Sequence, residues 1–175
     1  CSSENILAMT FTNKAAEEMK SRLSLLIGSS NRNIINASTF HSFCARTLRI
    51  YGNHIKISSD FSIYDDLDQL DLIKQIMNEL EIDPKKFLPK IFQSNISAAK
   101  SKLLTYEYIA SNTENYFDEL LARIYEKYSL KLTQLNSLDF DDLLLKTYSL
   151  LSETKILENQ LKERYQYILV DEFQD

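Results

Sequence analysis

Apolar and polar positions along the first fifty residues alternate between strand-like and helix-like patterns. Apolar runs at 6–12 and 34–38 have the length and composition of β-strands. After each run, apolar residues recur at helical spacing, over 14–27 and 40–51. Because consecutive strands joined by a helix normally lie parallel, this order predicts an α/β fold with a parallel sheet.

Polar residues stand where each of these helices is expected to begin. Thr12 or Asn13 can cap the first helix and Ser38 or Thr39 the second, since short hydroxyl and amide side chains accept hydrogen bonds from free backbone N–H groups. Gly28 is expected to end the first helix. Both strand-to-helix turns therefore combine polar side chains with free N–H groups.

The pattern becomes helical from about residue 65, and no strand signal occurs from there to about residue 164. Asp65 is expected to cap the first of these helices. A short helix is expected to begin at Asp83-Pro84, with proline in its first turn. These elements predict a helical block inserted into the α/β scaffold. Its longer helices are expected at 66–80, 89–104, 106–110 and 115–131.

The last part of the chain returns to the scaffold. One helix is expected to start at 139–142 and another to span 153–164. The apolar run at 167–170 has the length and composition of a buried strand. The predicted organisation is a first scaffold segment at 1–58, a helical insertion at 59–135 and a second scaffold segment at 136–175.

Composition and charge restrict the classes of function. The chain is 44% apolar and 26% charged, as in ordinary globular proteins, and no run of about 18 apolar residues predicts a membrane span. Cys1 and Cys44 form no disulfide framework or ligand cluster, which favours a reduced, cytoplasmic location. The net charge is −5, but residues 1–58 carry seven Lys/Arg and three Asp/Glu. Unless this is a chance feature of a solvated face, the N-terminal third is the better candidate for a surface that faces a polyanion.

Asp171 and Glu172 carry the strongest chemical signal. They directly follow the apolar run at 167–170, and α/β proteins bind ligands at the carboxyl ends of such strands. Adjacent carboxylates there suit nucleotide hydrolysis, because one can lie near Mg²⁺ and the other can orient the attacking water. A phosphate-binding loop of the form Gly-x-x-x-x-Gly-Lys-Ser/Thr is absent, since the only glycines are Gly28 and Gly52. The sequence therefore predicts one half of a nucleotide site.

The first strand-to-helix turn, Thr10 to Lys14, is a candidate phosphate or nucleic-acid site. Hydroxyls, an amide and free N–H groups at a helix start bind phosphate well. Phe11 could stack on an unpaired base. The alternative is that Thr12 and Asn13 only cap the helix and that Phe11 belongs to the core.

The second turn repeats this combination with Thr39, Phe40 and His41. His41 lies in the first turn of a predicted helix, where it can donate to a phosphate or stack on a base. Taken alone, it is more often a satisfied surface or core histidine. Two similar turns at one edge of a sheet favour the nucleic-acid interpretation over either turn by itself.

The acidic segment Asp139 to Asp142 has two interpretations. Its carboxylates could bind a metal, and a metal nuclease would combine Asp139 and Asp141 with Asp171 and Glu172. The favoured interpretation is a helix start whose carboxylates satisfy the helix's own amides.

Four segments, in this order, resemble motifs of the UvrD/Rep/PcrA family of superfamily 1 DNA helicases. They resemble motif Ia, motif Ib, the segment called Ic, and motif II or Walker B. The segments are Ile6-Leu-Ala-Met-Thr-Phe-Thr-Asn-Lys-Ala-Ala-Glu-Glu-Met19, Ala37-Ser-Thr-Phe-His-Ser-Phe43, Leu138-Asp-Phe-Asp-Asp-Leu143 and Ile168-Leu-Val-Asp-Glu-Phe-Gln-Asp175.

The resemblance implies part of a P-loop NTPase sheet of the RecA-like type, motor domain 1A, with an inserted all-helical subdomain, 1B. It implies ATP-driven 3′→5′ translocation on single-stranded DNA and unwinding at junctions of single-stranded and duplex DNA. ATP and Mg²⁺ would be the cofactors of the complete enzyme. DNA repair or replication is the expected setting, with other repair or replication proteins as partners.

The resemblance also implies roles for individual residues. Asp171 would hold Mg²⁺, Glu172 would activate the hydrolytic water, and Gln174, with Asp175, would couple this site to neighbouring motifs. The DNA track would be lined by Thr10, Phe11, Thr12 and Asn13 and continued by Thr39, Phe40 and His41.

Two further readings stay open: the helicase subunit of a recombination helicase–nuclease, and a non-catalytic module that binds single-stranded DNA or a protein. The insertion is short, which favours the simpler helicases. Motif I, the motifs after motif II and the arginine finger of the family are not found in these residues. We therefore expect a piece of a longer protein, with no measurable ATPase or helicase activity of its own.

Overall fold

The computed structural model describes residues 2–27 and 36–174. The predicted helix end at Gly28, the first two residues of the predicted strand at 34–38, Cys1 and Asp175 lie outside the described residues.

The described residues form five β-strands, eight α-helices and two 3₁₀ turns, at Ser3–Asn5 and Gly52–Ile55. The strands are β1 (Ile6–Thr10), β2 (Asn36–Thr39), β3 (Ser62–Tyr64), β4 (Ser137–Asp139) and β5 (Tyr167–Val170). The helices are α1 (Asn13–Ile27), α2 (Phe40–Tyr51), α3 (Asp66–Glu79), α4 (Pro89–Ser101), α5 (Tyr106–Ser111), α6 (Tyr116–Gln134), α7 (Phe140–Glu153) and α8 (Lys155–Arg164). No helix among the described residues has the length and hydropathy that a bilayer span requires.

The chain divides into two compact units. The first contains the described residues up to Ile55 and those from Thr147 onward, and the second is Lys56–Lys146. The assignment of residues 1–58, 59–135 and 136–175 to family subdomains stays a prediction.

The first unit is built on a parallel sheet with the strand order β2-β1-β5. This confirms the predicted α/β fold with a parallel sheet. The central strand β1 is buried, and Leu7, Ala8 and Met9 are 3, 2 and 7% exposed. Helix α1 contacts both β1 and β2. The strand-to-helix turns after these strands are therefore fixed to a packed sheet.

The predicted burial of β5 is wrong for this chain. Tyr167, Ile168 and Leu169 are 53, 60 and 59% exposed. Among the described strands, β5 pairs only with β1 and forms an edge of the sheet. Its apolar side chains therefore lack the layers that cover a central parallel strand on both faces.

The second unit has its core between α3, α4 and α6. Apolar side chains at helical spacing meet there, and Ile76, Phe92 and Ile124 are each 0% exposed. Asp65 caps α3 as predicted: its carboxylate accepts hydrogen bonds from the N–H groups of the first turn, and the Asp65 N–H donates to the Asp68 carboxylate. Such a reciprocal box satisfies donors that an uncapped helix would leave free.

The expectation of no strand between about 65 and 164 is wrong at β4. This strand pairs in parallel with β3, in the register Ser62 to Ser137. Asn136, with a φ of 46°, turns the chain directly before β4 and accepts a backbone hydrogen bond from Ser62. Three residues are too few to show a periodic pattern, and only the distant partner strand stabilises them.

The helix predicted from Asp83 is a single turn. The N–H groups of Lys86 and Phe87 both donate to the Asp83 carbonyl, at 3.1 Å. Leu88 is then extended, with a ψ of 130°. A residue before proline is driven out of the helical region by the proline ring, so Pro89 stops the turn and starts α4.

Candidate functional site

Three turns leave the parallel sheet at the same edge. Thr10 is in register with Thr39, and Met9 with Val170, so β1, β2 and β5 end level with one another. Because neighbouring strands lie roughly 4.8 Å apart, the three turns are side by side. The turn after β1 is in the middle, between the turn that starts α2 and the turn that begins at Asp171. This register confirms that the predicted polar turns share one sheet edge.

The middle turn presents an aromatic ring and polar groups to solvent. Thr12 caps α1, since its hydroxyl accepts a hydrogen bond from the Ala15 N–H at 3.1 Å. Thr10 is 0% exposed, and its hydroxyl donates to the Thr12 carbonyl at 3.0 Å. Phe11 is 68% exposed and is therefore not a core residue. Asn13, the first residue of α1, is also exposed.

The turn after β2 has a similar cap. The Thr39 hydroxyl accepts a hydrogen bond from the Ser42 N–H at 3.2 Å and donates to the Ser42 hydroxyl at 2.8 Å. Thr39 is 5% exposed, so its side chain fixes the turn from inside. Phe40 and His41 are half-buried at the start of α2. The side chains of this turn that reach the surface are thus an aromatic ring and an imidazole.

The turn after β5 carries the paired carboxylates. The Asp171 N–H donates to the Met9 carbonyl at 2.9 Å, which extends the β1–β5 pairing and fixes the Asp171 backbone. Glu172 has a φ of 53°, a left-handed conformation that is uncommon for residues other than glycine and concentrates at functional sites. The Gln174 side-chain amide donates a short hydrogen bond to the Glu172 carboxylate. Asp171, Glu172 and Gln174 are all exposed.

The chemistry of this turn fits Mg²⁺. Among the described residues, no group of three or more His, Cys, Asp and Glu side chains could hold a metal by itself. Mg²⁺ does not need one, because it keeps several waters and is held by one or two carboxylates together with substrate phosphates. Asp171 also borders a groove of about 400 Å³ along α1, next to Met19 and the Arg22–Glu18 ion pair.

The acidic segment before α7 is engaged by a buried lysine. The Lys100 ammonium lies 2.6 Å from the Asp139 carboxylate and 2.8 Å from that of Asp142. The Tyr128 hydroxyl donates to Asp139 at 2.9 Å, and the Lys100 ammonium lies 5.3 Å from the Tyr128 ring centre. The Asp142 N–H donates to Asp139 at 2.8 Å. The favoured helix-start interpretation is confirmed, and the metal interpretation is wrong for Asp139 and Asp142, whose oxygens are taken by a cation and by N–H and O–H donors.

The charges of this cluster depend on one another. Burial lowers the pKa of Lys100, but the carboxylates of Asp142 and Asp139 outweigh burial and hold the pKa above its ordinary value. Burial raises the pKa of Asp142, and Lys100 opposes that rise. Removal of the lysine would therefore leave two carboxylates in a place that disfavours their charge.

Sequence reasoning missed Lys100, although its position held a signal. Phe92, Ile96 and Lys100 follow one another at four-residue spacing on the buried face of α4. A lysine on an apolar helix face needs a buried carboxylate partner. Asp139 and Asp142 provide those carboxylates.

Known proteins resemble the chain over nearly its whole length. The sequence model of the family described as UvrD/REP helicase N-terminal domain matches residues 1–175. An ATP-dependent DNA helicase PcrA of Bacillus subtilis (strain 168) is 43% identical over 171 residues, which make up 98% of this chain and 23% of that protein. Those of Staphylococcus epidermidis (strain ATCC 12228 / FDA PCI 1200) and Staphylococcus aureus (strain NCTC 8325 / PS 47) are 40% identical over the same shares.

The chain thus spans 23% of the length of these relatives. The family match includes the three turns at the sheet edge and the acidic start of α7. Together with the parallel sheet and the helical second unit, it shows that the chain belongs to the family of UvrD/REP helicase N-terminal domains.

Proposed function

We propose that this chain is part of the first motor domain of an ATP-dependent 3′→5′ DNA helicase that moves along single-stranded DNA and unwinds duplex DNA. The observation that carries the proposal is the common sheet edge. The register of β1, β2 and β5 brings two aromatic, polar turns beside the Asp171–Glu172 carboxylates. Because the DNA contacts and the nucleotide site lie at one edge, a structural change at the nucleotide site can alter the neighbouring DNA contacts.

The DNA track is assigned to the side chains that reach the surface of the first two turns. Phe11 would stack on a base, and His41 with Phe40 would continue the track. Thr12 and Asn13 offer a helix start to a phosphate. Thr10 and Thr39 are buried, so they would act by holding the turns in shape.

The nucleotide side of the site is assigned to Asp171, Glu172 and Gln174. Mg²⁺ bound with ATP would neutralise the charge that develops on the transferred phosphate. Asp171 would hold the metal, because its backbone is fixed to β1 and its carboxylate is exposed. A water molecule would usually lie between this carboxylate and the metal. Glu172 would orient the attacking water, and Gln174 would hold the Glu172 carboxylate in place.

The second unit is assigned to the family's 1B subdomain, with contacts at junctions of single-stranded and duplex DNA. A cytoplasmic setting in DNA repair or replication, together with other proteins of those pathways, completes the proposal. Identities of 40–43% to helicases named PcrA support the simpler helicases over the subunit of a recombination helicase–nuclease.

The test separates DNA binding from ATP hydrolysis. We expect the 175-residue chain to bind a fluorescent oligo-dT in an anisotropy titration and to hydrolyse no ATP, because its sequence contains no phosphate-binding loop. In a longer polypeptide that supplies this loop, we expect DNA-stimulated hydrolysis that Glu172→Gln abolishes. The matched control Glu163→Gln, at an exposed position of α8, should leave hydrolysis intact.

Two results would contradict the proposal. Robust DNA-stimulated ATPase activity from the 175 residues alone would show that a different site hydrolyses the nucleotide. Cleavage of DNA with Mg²⁺ and no ATP, lost in Glu172→Gln, would identify a metal nuclease instead.

A further inference from the structure

A polar groove of about 530 Å³ lies in the second unit between α3, α4 and the first residues of α7. It is separate in sequence from the three turns of the sheet edge. Carboxylates, amides and hydroxyls line it, together with apolar side chains that are exposed to solvent. The groove is therefore shaped for a ligand that has both polar and apolar parts.

Gln69 is the first sign that the groove receives a ligand. It is 7% exposed and lines the groove, yet its side-chain amide makes no hydrogen bond to any part of the chain that the structure describes. The amide stays open to the groove, because its atoms are not sealed from solvent as the hydroxyl of Ser38 is.

The charges of the groove are the second sign. Asp66 and Asp141 line it, and neither carboxylate forms an ion pair within the described residues. Lys90 also lines the groove, from the exposed first turn of α4. Two carboxylates against one ammonium leave the walls acidic on balance. Acidic walls disfavour the phosphates of DNA and favour a cation.

The apolar part of the groove completes the set. Leu67 is 71% exposed and Phe140 is 42% exposed, both at the groove. A long aliphatic stem that ends in a charged head would cover such side chains. Among protein groups, arginine combines this stem with a planar fork of five N–H donors.

We propose that this groove binds an arginine-bearing segment of a protein partner. The guanidinium donates to the Gln69 carbonyl oxygen and to the carboxylates of Asp66 and Asp141. The aliphatic stem of the arginine packs on Leu67 and Phe140. This docking surface goes beyond the helicase reaction, because it uses neither the sheet edge nor the Asp171–Glu172 pair.

The test uses the 175-residue chain and three short peptides, acetyl-Ala-Leu-Arg-Leu-Ala-amide and its analogues with lysine or citrulline in place of arginine. The readout is the side-chain amide signal of Gln69 in ¹H–¹⁵N NMR spectra, assigned by its loss in Gln69→Met. We expect saturable movement of this signal with the arginine peptide, weaker binding with lysine and none with citrulline, which keeps the shape and lacks the charge.

Variants of the walls give the matched control. The affinity for the arginine peptide is expected to fall by about fivefold to tenfold in Asp141→Asn and in Asp66→Asn, since each variant removes one charged acceptor. Glu126→Gln, on the exposed surface of α6, is expected to leave binding unchanged. Binding to Gln69→Met, which lacks this signal, is followed through the backbone amide signals of Asp66 and Asp141. Gln69→Met should abolish binding without lowering the thermal unfolding midpoint, because the amide has no partner to lose among the described residues.

Several outcomes would overturn the inference. Equal binding of the arginine and citrulline peptides would show that charge does not matter. A Gln69 signal that stays fixed at saturating peptide would place binding elsewhere. An oligo-dT that moves the same signal and displaces the peptide would make the groove a nucleic-acid subsite. A clear loss of stability in Gln69→Met would make Gln69 a structural residue.

Discussion

Lys100 and Asp139 form a buried ion pair across 39 residues of sequence, with 2.6 Å between the ammonium nitrogen and the carboxylate oxygen. Their side chains are 3% and 1% exposed. Asp142 and Tyr128 complete the cluster, which joins α4 and α6 to β4 and the start of α7. The cluster places three charges inside the second unit, so its stability depends on keeping them together.

Removal of the lysine is expected to destabilise the chain strongly. Lys100→Met keeps much of the side-chain volume but leaves Asp139 and Asp142 buried without a cation, at a cost of about 3–5 kcal/mol. Urea denaturation followed by far-UV circular dichroism measures this loss. Lys74→Met is the control, because Lys74 pairs with Asp71 on the surface of α3. It should cost less than about 1 kcal/mol, and equal losses in the two variants would contradict the prediction.

The free energy of unfolding of the second unit is expected to fall steeply at alkaline pH. The fall should be steeper than in a protein whose tyrosines and lysines are all exposed. Burial raises the pKa of Tyr128 and of Tyr125, and nearby aspartates add to the rise. Burial lowers the pKa of Lys100, but the carboxylates of Asp142 and Asp139 outweigh burial and hold this pKa above its ordinary value. All three groups hold protons in the folded chain that the unfolded chain releases, so stability is full below their unfolded pKa values. It is lost as the pH rises, by about 1.4 kcal/mol per group and pH unit above about pH 10.

Tyr128→Phe tests the assignment of this alkaline loss. At neutral pH the variant is expected to lose about 1–3 kcal/mol, because Asp139 loses a hydrogen-bond donor. Above about pH 10, the free energy of unfolding of the variant should fall less steeply with pH than that of the wild type. The difference in slope should be about 1.4 kcal/mol per pH unit, which corresponds to one proton per molecule. Urea denaturation at a series of pH values gives both quantities. An unchanged slope would show that Tyr128 does not retain its proton in the folded chain.

Phe11→Ala is expected to weaken binding of single-stranded DNA without affecting the fold. A base stacked on an aromatic ring contributes about 1–3 kcal/mol, or roughly fivefold to 150-fold in affinity. Phe11 is 68% exposed, so its loss leaves no cavity. Anisotropy titrations with labelled oligo-dT measure the affinity, with Leu25→Ala as the control because Leu25 is an exposed apolar residue of α1. Unchanged affinity in Phe11→Ala would remove this residue from the DNA track.

Thr39→Ala is expected to destabilise the first unit by about 0.5–2 kcal/mol, because α2 loses its cap. Thr39→Ser keeps the hydroxyl that accepts from the Ser42 N–H, so it should retain most of the stability and the DNA affinity. Thermal unfolding and anisotropy titrations of both variants measure these effects. A stable Thr39→Ala chain that binds DNA poorly would assign Thr39 a direct contact instead of a role in holding the turn.

Local signals in the sequence were sufficient for most elements of the first unit. The helix cap at Thr12, the end of α2 at Gly52 and the bounds of β5 depend on residues within a few positions of one another. The same holds for the Asp65 cap at the start of α3, in the second unit. Such short-range hydrogen bonds and propensities can be read from a short stretch of chain.

The sequence by itself determined the strand-to-helix order, the polar turns and the family to which they point. The tertiary structure decided which of those residues reach solvent: Phe11 does, whereas Thr10 and Thr39 do not. It also decided the pairing of β3 with β4, the exposure of β5 and the engagement of Lys100 with Asp139. These features depend on contacts between residues that are far apart in the chain. A local sequence pattern does not show which distant residues will meet.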